Sequence, residues 1–185
     1  MDSRSLKVGC LTFALSAFTL AACDSGVPAP GQEPLRASSP QVAEDEIVLR
    51  AQGLVAGPEA FYFAAGRSEV EAALRSILGE PTERRDIEEC GAGPMSLSEY
   101  ANGLVVNFQR GNLAGWTLSQ NENAPRVMGD VQIATSRDEV GDVDGFAAIE
   151  GSTLGDEFAI GNAVGGFFED DKVAMLYAGT QCFMR

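Results

Sequence analysis

Apolar and polar residues along this chain follow two periods. Val70, Ala73, Leu74, Ile77 and Leu78 recur at i, i+3, i+4, i+7 and i+8, which predicts one helix with a single apolar stripe turned to a core. Ser68 and Glu71 read as a capping box at its start. Gly79 sits where a left-handed C-terminal residue belongs, and Pro81 forbids continuation. Beyond the helix the period shortens to two. Residues 82–87, 97–101, 104–109 and 113–118 read as strands, with Leu104, Val106 and Phe108 on one face. Asn102-Gly103 is a strong hairpin signal, and Arg110-Gly111-Asn112 turns the chain again. Ile47-Val48-Leu49 opens this part as a further strand. Its first half is therefore a helix followed by a three-stranded meander.

The second half reads as a worn copy. Residues 131–135, 153–160, 165–168 and 173–177 are strand-like, and Glu169-Asp170-Asp171-Lys172 is a polar turn. The helix expected near residues 137–149 is weak, because Gly141 and Gly145 interrupt it. The expected class is α+β: a helix packed on antiparallel sheet, in two tandem half-repeats at about 46–120 and 127–185, the second helix degraded.

The start of the chain is built differently. Arg4 and Lys7 precede an apolar stretch over residues 8–22, too short to span a bilayer comfortably. That is the layout of a secretory signal peptide. Leu20-Ala21-Ala22-Cys23 resembles the lipobox of bacterial lipoproteins: Leu or Val, any residue, a small residue, then Cys. The resemblance implies cleavage before Cys23, a diacylglyceryl thioether on its sulfur, and anchoring to the lipid bilayer. The alternative is an ordinary signal peptide or an uncleaved anchor. Residues 24–45 hold four of the eight prolines, Pro28, Pro30, Pro34 and Pro40, without apolar periodicity. Such a stretch cannot bury enough apolar surface to order itself, and as a coil it would span about 25 Å. Residues 1–22 thus read as signal peptide, 23–45 as lipidated tether, and 46–185 as one globular domain.

Charge and composition narrow the chemistry. Net charge is −14, and loss of Arg4, Lys7 and Asp2 with the signal peptide makes it one unit more negative. Such a chain repels nucleic acid and anionic headgroups, so membrane attachment rests on the acyl chains. The chain contains no histidine, which excludes His-based acid/base work, Ser-His-Asp or Cys-His nucleophiles and His-ligated metal. Of four cysteines, Cys10 departs with the signal peptide and Cys23 is taken by lipid. Cys90 and Cys182 remain, and the exported compartment favours a disulfide between them over two buried thiols.

Two further resemblances bear on the domain. Gly66-Arg67-Ser68-Glu69-Val70 with Leu78-Gly79-Glu80-Pro81 resembles a signature of small periplasmic lipoprotein domains. Among these are the SmpA/OmlA assembly lipoproteins and the beta-lactamase-inhibitor-protein-like fold, in which a helical segment precedes an antiparallel sheet. The segments Glu89-Cys90-Gly91-Ala92-Gly93-Pro94, Gly103-Leu104, Gly115-Trp116, Ser152-Thr153-Leu154-Gly155 and Ala178-Gly179-Thr180-Gln181-Cys182-Phe183 resemble an uncharacterised family of alphaproteobacterial exported proteins. Some of its members carry the transferred name aspartate-semialdehyde dehydrogenase. This sequence does not support that activity: it has no histidine base, and no Gly-rich phosphate loop follows a strand.

Few constellations suggest other chemistry. Asp142, Asp144 and Glu150 form a candidate calcium loop, but in EF-hand register Val140 and Gly151 would occupy the first and last ligand positions. No cofactor motif is present. Trp116, the sole tryptophan, is a candidate contact for a protein partner, with a core position as its alternative. The expectation is a non-enzymatic lipoprotein facing the periplasm and binding an unknown protein there. Asp24 after the lipidated cysteine favours the inner membrane by the sorting tendency of enteric lipoproteins. A small-molecule or calcium-binding module, or a carboxylate-based hydrolase, is the alternative.

Overall fold

The two-residue period is carried by an eight-stranded antiparallel sheet, and the computed structural model describes residues 42–183 around it. The expected signal peptide, Cys23 and the expected tether up to Gln41 lie outside the described residues. The elements in chain order are β1 (Ile47–Arg50), β2 (Gly53–Ala56), β3 (Glu59–Tyr62), α1 (Arg67–Leu78), β4 (Glu83–Ile87), β5 (Met95–Glu99), β6 (Leu104–Gln109) and β7 (Asn112–Ser119). They continue with β8 (Arg126–Val127), α2 (Arg137–Gly141), β9 (Phe146–Ala148), β10 (Asp156–Ile160), β11 (Val164–Glu169) and β12 (Lys172–Gly179).

The large sheet runs β4-β5-β6-β7-β12-β11-β10-β9. Two four-stranded meanders therefore meet at their last strands, with Thr117 opposite Tyr177 and Trp116 opposite Ala178. A second sheet, β3-β2-β1-β8, is small, with β8 parallel to β1. The core lies between them, built from Leu49, Leu54, Val70, Leu74, Leu104, Val106, Phe108, Trp116, Leu118, Phe158 and Leu176, all essentially buried.

The last two strands of each half match in register. β6 and β7 recur sixty residues later as β11 and β12. Both hairpins turn through two residues of positive φ, Arg110-Gly111 and Asp170-Asp171, as a type I′ turn requires. Both meanders break register at the same point, after Asn107 and after Phe167. The chain enters both helices alike. Ala64 and Ala134 take positive φ, and their amides donate to Leu113 and Val173 carbonyls at 2.8 Å each. The first helical residues, Arg67 and Arg137, lie over the Phe108 and Phe168 rings at 5.0 and 4.1 Å.

The helices differ as expected: α1 has 12 residues and α2 only 5. Where α1 brings Leu74 and Ile77 to the core, the second half uses Val143 and Phe146, the latter ring 6.2 Å from Phe158.

Several expectations are corrected. The helix cap is Gly66, not Ser68, and no side chain caps it. Glu71 instead reaches Ser98, Arg67 and Arg84. A reciprocal capping box does form in α2, between Ser136 and Glu139. The first meander has four strands rather than three, and β2, β3 and β9 come in addition. Residues 131–135 are not a strand. The Gln132 side chain bonds the Val127 backbone at both its amide and its carbonyl, and Ala134 at φ +68° ends any extension.

Candidate functional site: an acidic-lined aromatic cleft on the sheet face

Alternation along β7 puts Trp116 and Leu118 toward the core and Thr117 and Ser119 on the opposite face of the large sheet. That second face carries the site. The chain reverses at Gly179, where φ is +74°, and residues 180–183 fold back over the seam between β7 and β12. Gln181 fastens them. Its amide donates to Trp116 and Ala178 carbonyls at 3.0 and 2.7 Å. Its carbonyl oxygen accepts from the Asn107 amide at 2.7 Å and the Thr117 hydroxyl at 2.8 Å. Asn107, otherwise a buried polar group, is thereby partly satisfied. Gly115 makes room for this strap: a Cβ there would stand 2.5 Å from the Thr180 carbonyl oxygen.

The strap ends in two cross-links. Cys182 is disulfide-bonded to Cys90, with Cα atoms 5.5 Å apart, as the compartment argument anticipates. Phe183 stands edge-on to Tyr177 and Phe167, centroids 5.0 and 5.6 Å away.

Beside this aromatic trio, Glu157 is a buried carboxylate, 5% exposed. It accepts hydrogen bonds from the Tyr177 hydroxyl at 2.6 Å and the Ser152 hydroxyl at 2.5 Å. Tyr177 starts on β12 and reaches β10 by lying across β11. Only glycine at 165 permits this, since a Cβ there would stand 2.1 Å from the ring.

Cys182 and Phe183 of the strap, Phe167 and the ends of β10–β12 border an open cleft of about 800 Å³. Phe167, Met175, Leu154 and Phe183 supply its apolar surface, Ser119 and Gln120 its neutral polar surface, and Asp156 and Glu169 its acids. No Lys or Arg lines it. Asp156 is bonded to Arg137, which also holds Asp171 at 2.9 Å. A smaller cleft of about 320 Å³ lies on the small sheet, where Tyr62 and Met128 are conspicuously exposed.

The residues singled out by sequence fare differently. Cys23 is outside the described residues. Cys90 and Cys182 are joined. Trp116 takes the core position rather than the partner contact: it is fully buried, and its indole donates to the Arg50 carbonyl at 2.8 Å. Asp142, Asp144 and Glu150 are not gathered; among the described residues no cluster of three His, Cys, Asp or Glu is placed to hold a metal. Sequence reading missed Glu157, Phe167, Tyr177 and Met175, because only strand register brings them together. Among the described residues no helix is long and apolar enough to cross a membrane.

No family model matches this chain. No curated protein matches it either. Among solved structures, a cysteine-rich secretory protein from Staphylococcus aureus is similar over 64% of this chain at 10% identity, with a TM-score of 0.42. The similarity spans 43% of that protein's length.

Proposed function

We propose that this chain is an exported lipoprotein, held to the membrane through acylated Cys23, whose domain binds another protein and catalyses no reaction. The cleft carries the reading. An aromatic and aliphatic hollow, half-open and flanked by carboxylates, has the composition of a protein-recognition surface. The lipobox-like Leu20-Ala21-Ala22-Cys23 and the tether behind it support the anchoring. The Cys90–Cys182 bridge accords with an oxidising compartment. Asp24 favours the inner membrane, with the domain facing the periplasm.

Two measurements test this. Cells fed an alkyne-bearing palmitate should label the protein, and Cys23→Ser should abolish the label; an unchanged label would refute the anchor. A photo-crosslinker installed in place of Met175 in the full chain should give a discrete, reproducible adduct in live cells. A crosslinker at exposed Tyr62 reports on the smaller cleft. No adduct from either position counts against a protein-binding role.

A further inference from the structure

The cleft has an occupied counterpart within the same sheet. The two meanders end alike: the Thr180 amide donates to the Ala114 carbonyl at 2.8 Å, and the Gln120 amide to the Ala174 carbonyl at 3.0 Å. From there the courses diverge. After β12 the chain crosses the sheet as the strap over Asn107 and Gly115. After β7 it turns away, because the Asn121 side chain donates to the Ala101 carbonyl and accepts from the Asn123 amide, both at 3.0 Å. The sixty-residue equivalents of Asn107 and Gly115 are Phe167 and Met175; among the described residues only the end of the strap, at Phe183, reaches Phe167, and no second strap crosses the pair. They form part of the cleft.

What is exposed there is apolar and negative. Glu169 stands opposite Lys172 in the β11–β12 register but forms no salt bridge with it or with any other described residue. Glu157, paired in register with Phe167, lies buried beside the cleft rather than lining it, and its two donors, Tyr177 and Ser152, are neutral. The protein as a whole carries 27 acidic against 13 basic side chains. Resting on the protein-binding reading above, we propose that the cleft receives an extended, basic segment of a partner protein. The segment lies across the face as residues 180–183 do on the other half. Its apolar side chains meet Phe167, Met175 and Phe183, and a Lys or Arg turns toward Glu169. The strap shows that this sheet face accepts extended chain through side-chain hydrogen bonds, and the acids set the sign of what binds.

The test uses the full acylated chain in micelles of an uncharged detergent and two fluorescent pentapeptides, one alternating lysine with leucine, the other glutamate with leucine. Anisotropy should show the lysine peptide binding, more weakly as salt rises, and the glutamate peptide not binding. Glu169→Lys should raise Kd about fivefold, Met175→Lys at least as much, and Tyr62→Lys should leave it unchanged. Glu169 is exposed, so that variant keeps its fold, which the melting temperature verifies. Equal binding of both peptides, or insensitivity to both cleft substitutions, overturns the proposal. So does tighter binding after truncation at Phe183, which would make the chain's own terminus the occupant. If the lysine peptide fails while the in-cell adduct persists, the basic-segment assignment falls and the protein-binding reading stands. If both fail, both fall.

Discussion

At the scale of single residues, most of the information lies in who can approach whom. Tyr177, Glu157 and Gly165 act as one unit. Tyr177→Phe leaves the buried Glu157 carboxylate with Ser152 alone and should cost about 2 kcal/mol, the value of a hydrogen bond to a charged group. Gly165→Ala displaces the ring itself, so it should cost more than Tyr177→Phe, and because both lose the same hydrogen bond the double variant should cost less than the sum of the two. Urea denaturation of all three variants checks this; additive costs would show that the ring finds another route past position 165. Glu71 supplies a pH prediction. Burial opposes its ionisation, yet hydrogen bonds from Ser98 and Arg67 and the charges of Arg67 and Arg84 prevail, so its pKa lies below the usual carboxylate value. A lowered folded-state pKa contributes stability that is present above the ordinary carboxylate range and lost as pH falls through the lowered value. Glu71→Gln should therefore flatten stability between neutral pH and about pH 3, read as a smaller shift of the urea midpoint. Nearby, burial holds the Tyr100 hydroxyl, without a hydrogen-bond partner among the described residues, up to about 12.

Elements differ in how far the sequence reveals them. The stripe of α1 and the alternation of β6, β7, β11 and β12 are legible because each buries one continuous face. Asn102-Gly103 marks its turn because Gly103 needs φ +81°. β2 is not legible: Leu54-Val55-Ala56 is a fully apolar run, too short to separate strand from helix without knowing its neighbours. Ser68 and Glu71 have the spacing of a capping box but lie two residues inside the helix cap at Gly66, where no box forms. The repeat itself identifies that cap, since Gly66 stands where the second half has Ser136. Gly66 and Ser136 share extended backbone, at φ −65° and −69°, and a Cβ at 66 meets Glu69 at an ordinary 3.7 Å. Gly66→Ser should therefore build the missing box with Glu69 and raise stability by about 0.5 kcal/mol. A lowered melting temperature would show that the entry of the chain cannot accept the hydroxyl.

For the domain as a whole, the cysteine arithmetic was the most dependable sequence signal, and the cleft the least visible one. Counting leaves one pair once Cys10 and Cys23 are set aside as the lipobox resemblance implies, whereas the cleft depends on cross-strand registers that join residues 119, 167 and 175. The bridge closes a separation of 92 residues. Replacing both cysteines by alanine should cost about 4 kcal/mol in the chain-entropy account, measured by denaturant midpoint against the oxidised parent. A negligible loss would mean that Gln181 and Phe183 hold the strap unaided.

The order of strands has a consequence for how this protein is made. The pair that unites the two meanders, β7 with β12, joins a strand from mid-chain to the last strand of all. A chain emerging from its amino end completes β4 to β7 early, but β7 then presents an eight-residue open edge until some fifty further residues have followed. An unpaired edge of that length invites pairing with other chains. Its proper partner is distant in sequence, which makes the closing step slow relative to the hairpins. The seam is thus a step exposed to error while the chain folds, and a chaperone that covered the β7 edge would matter there rather than in the finished fold.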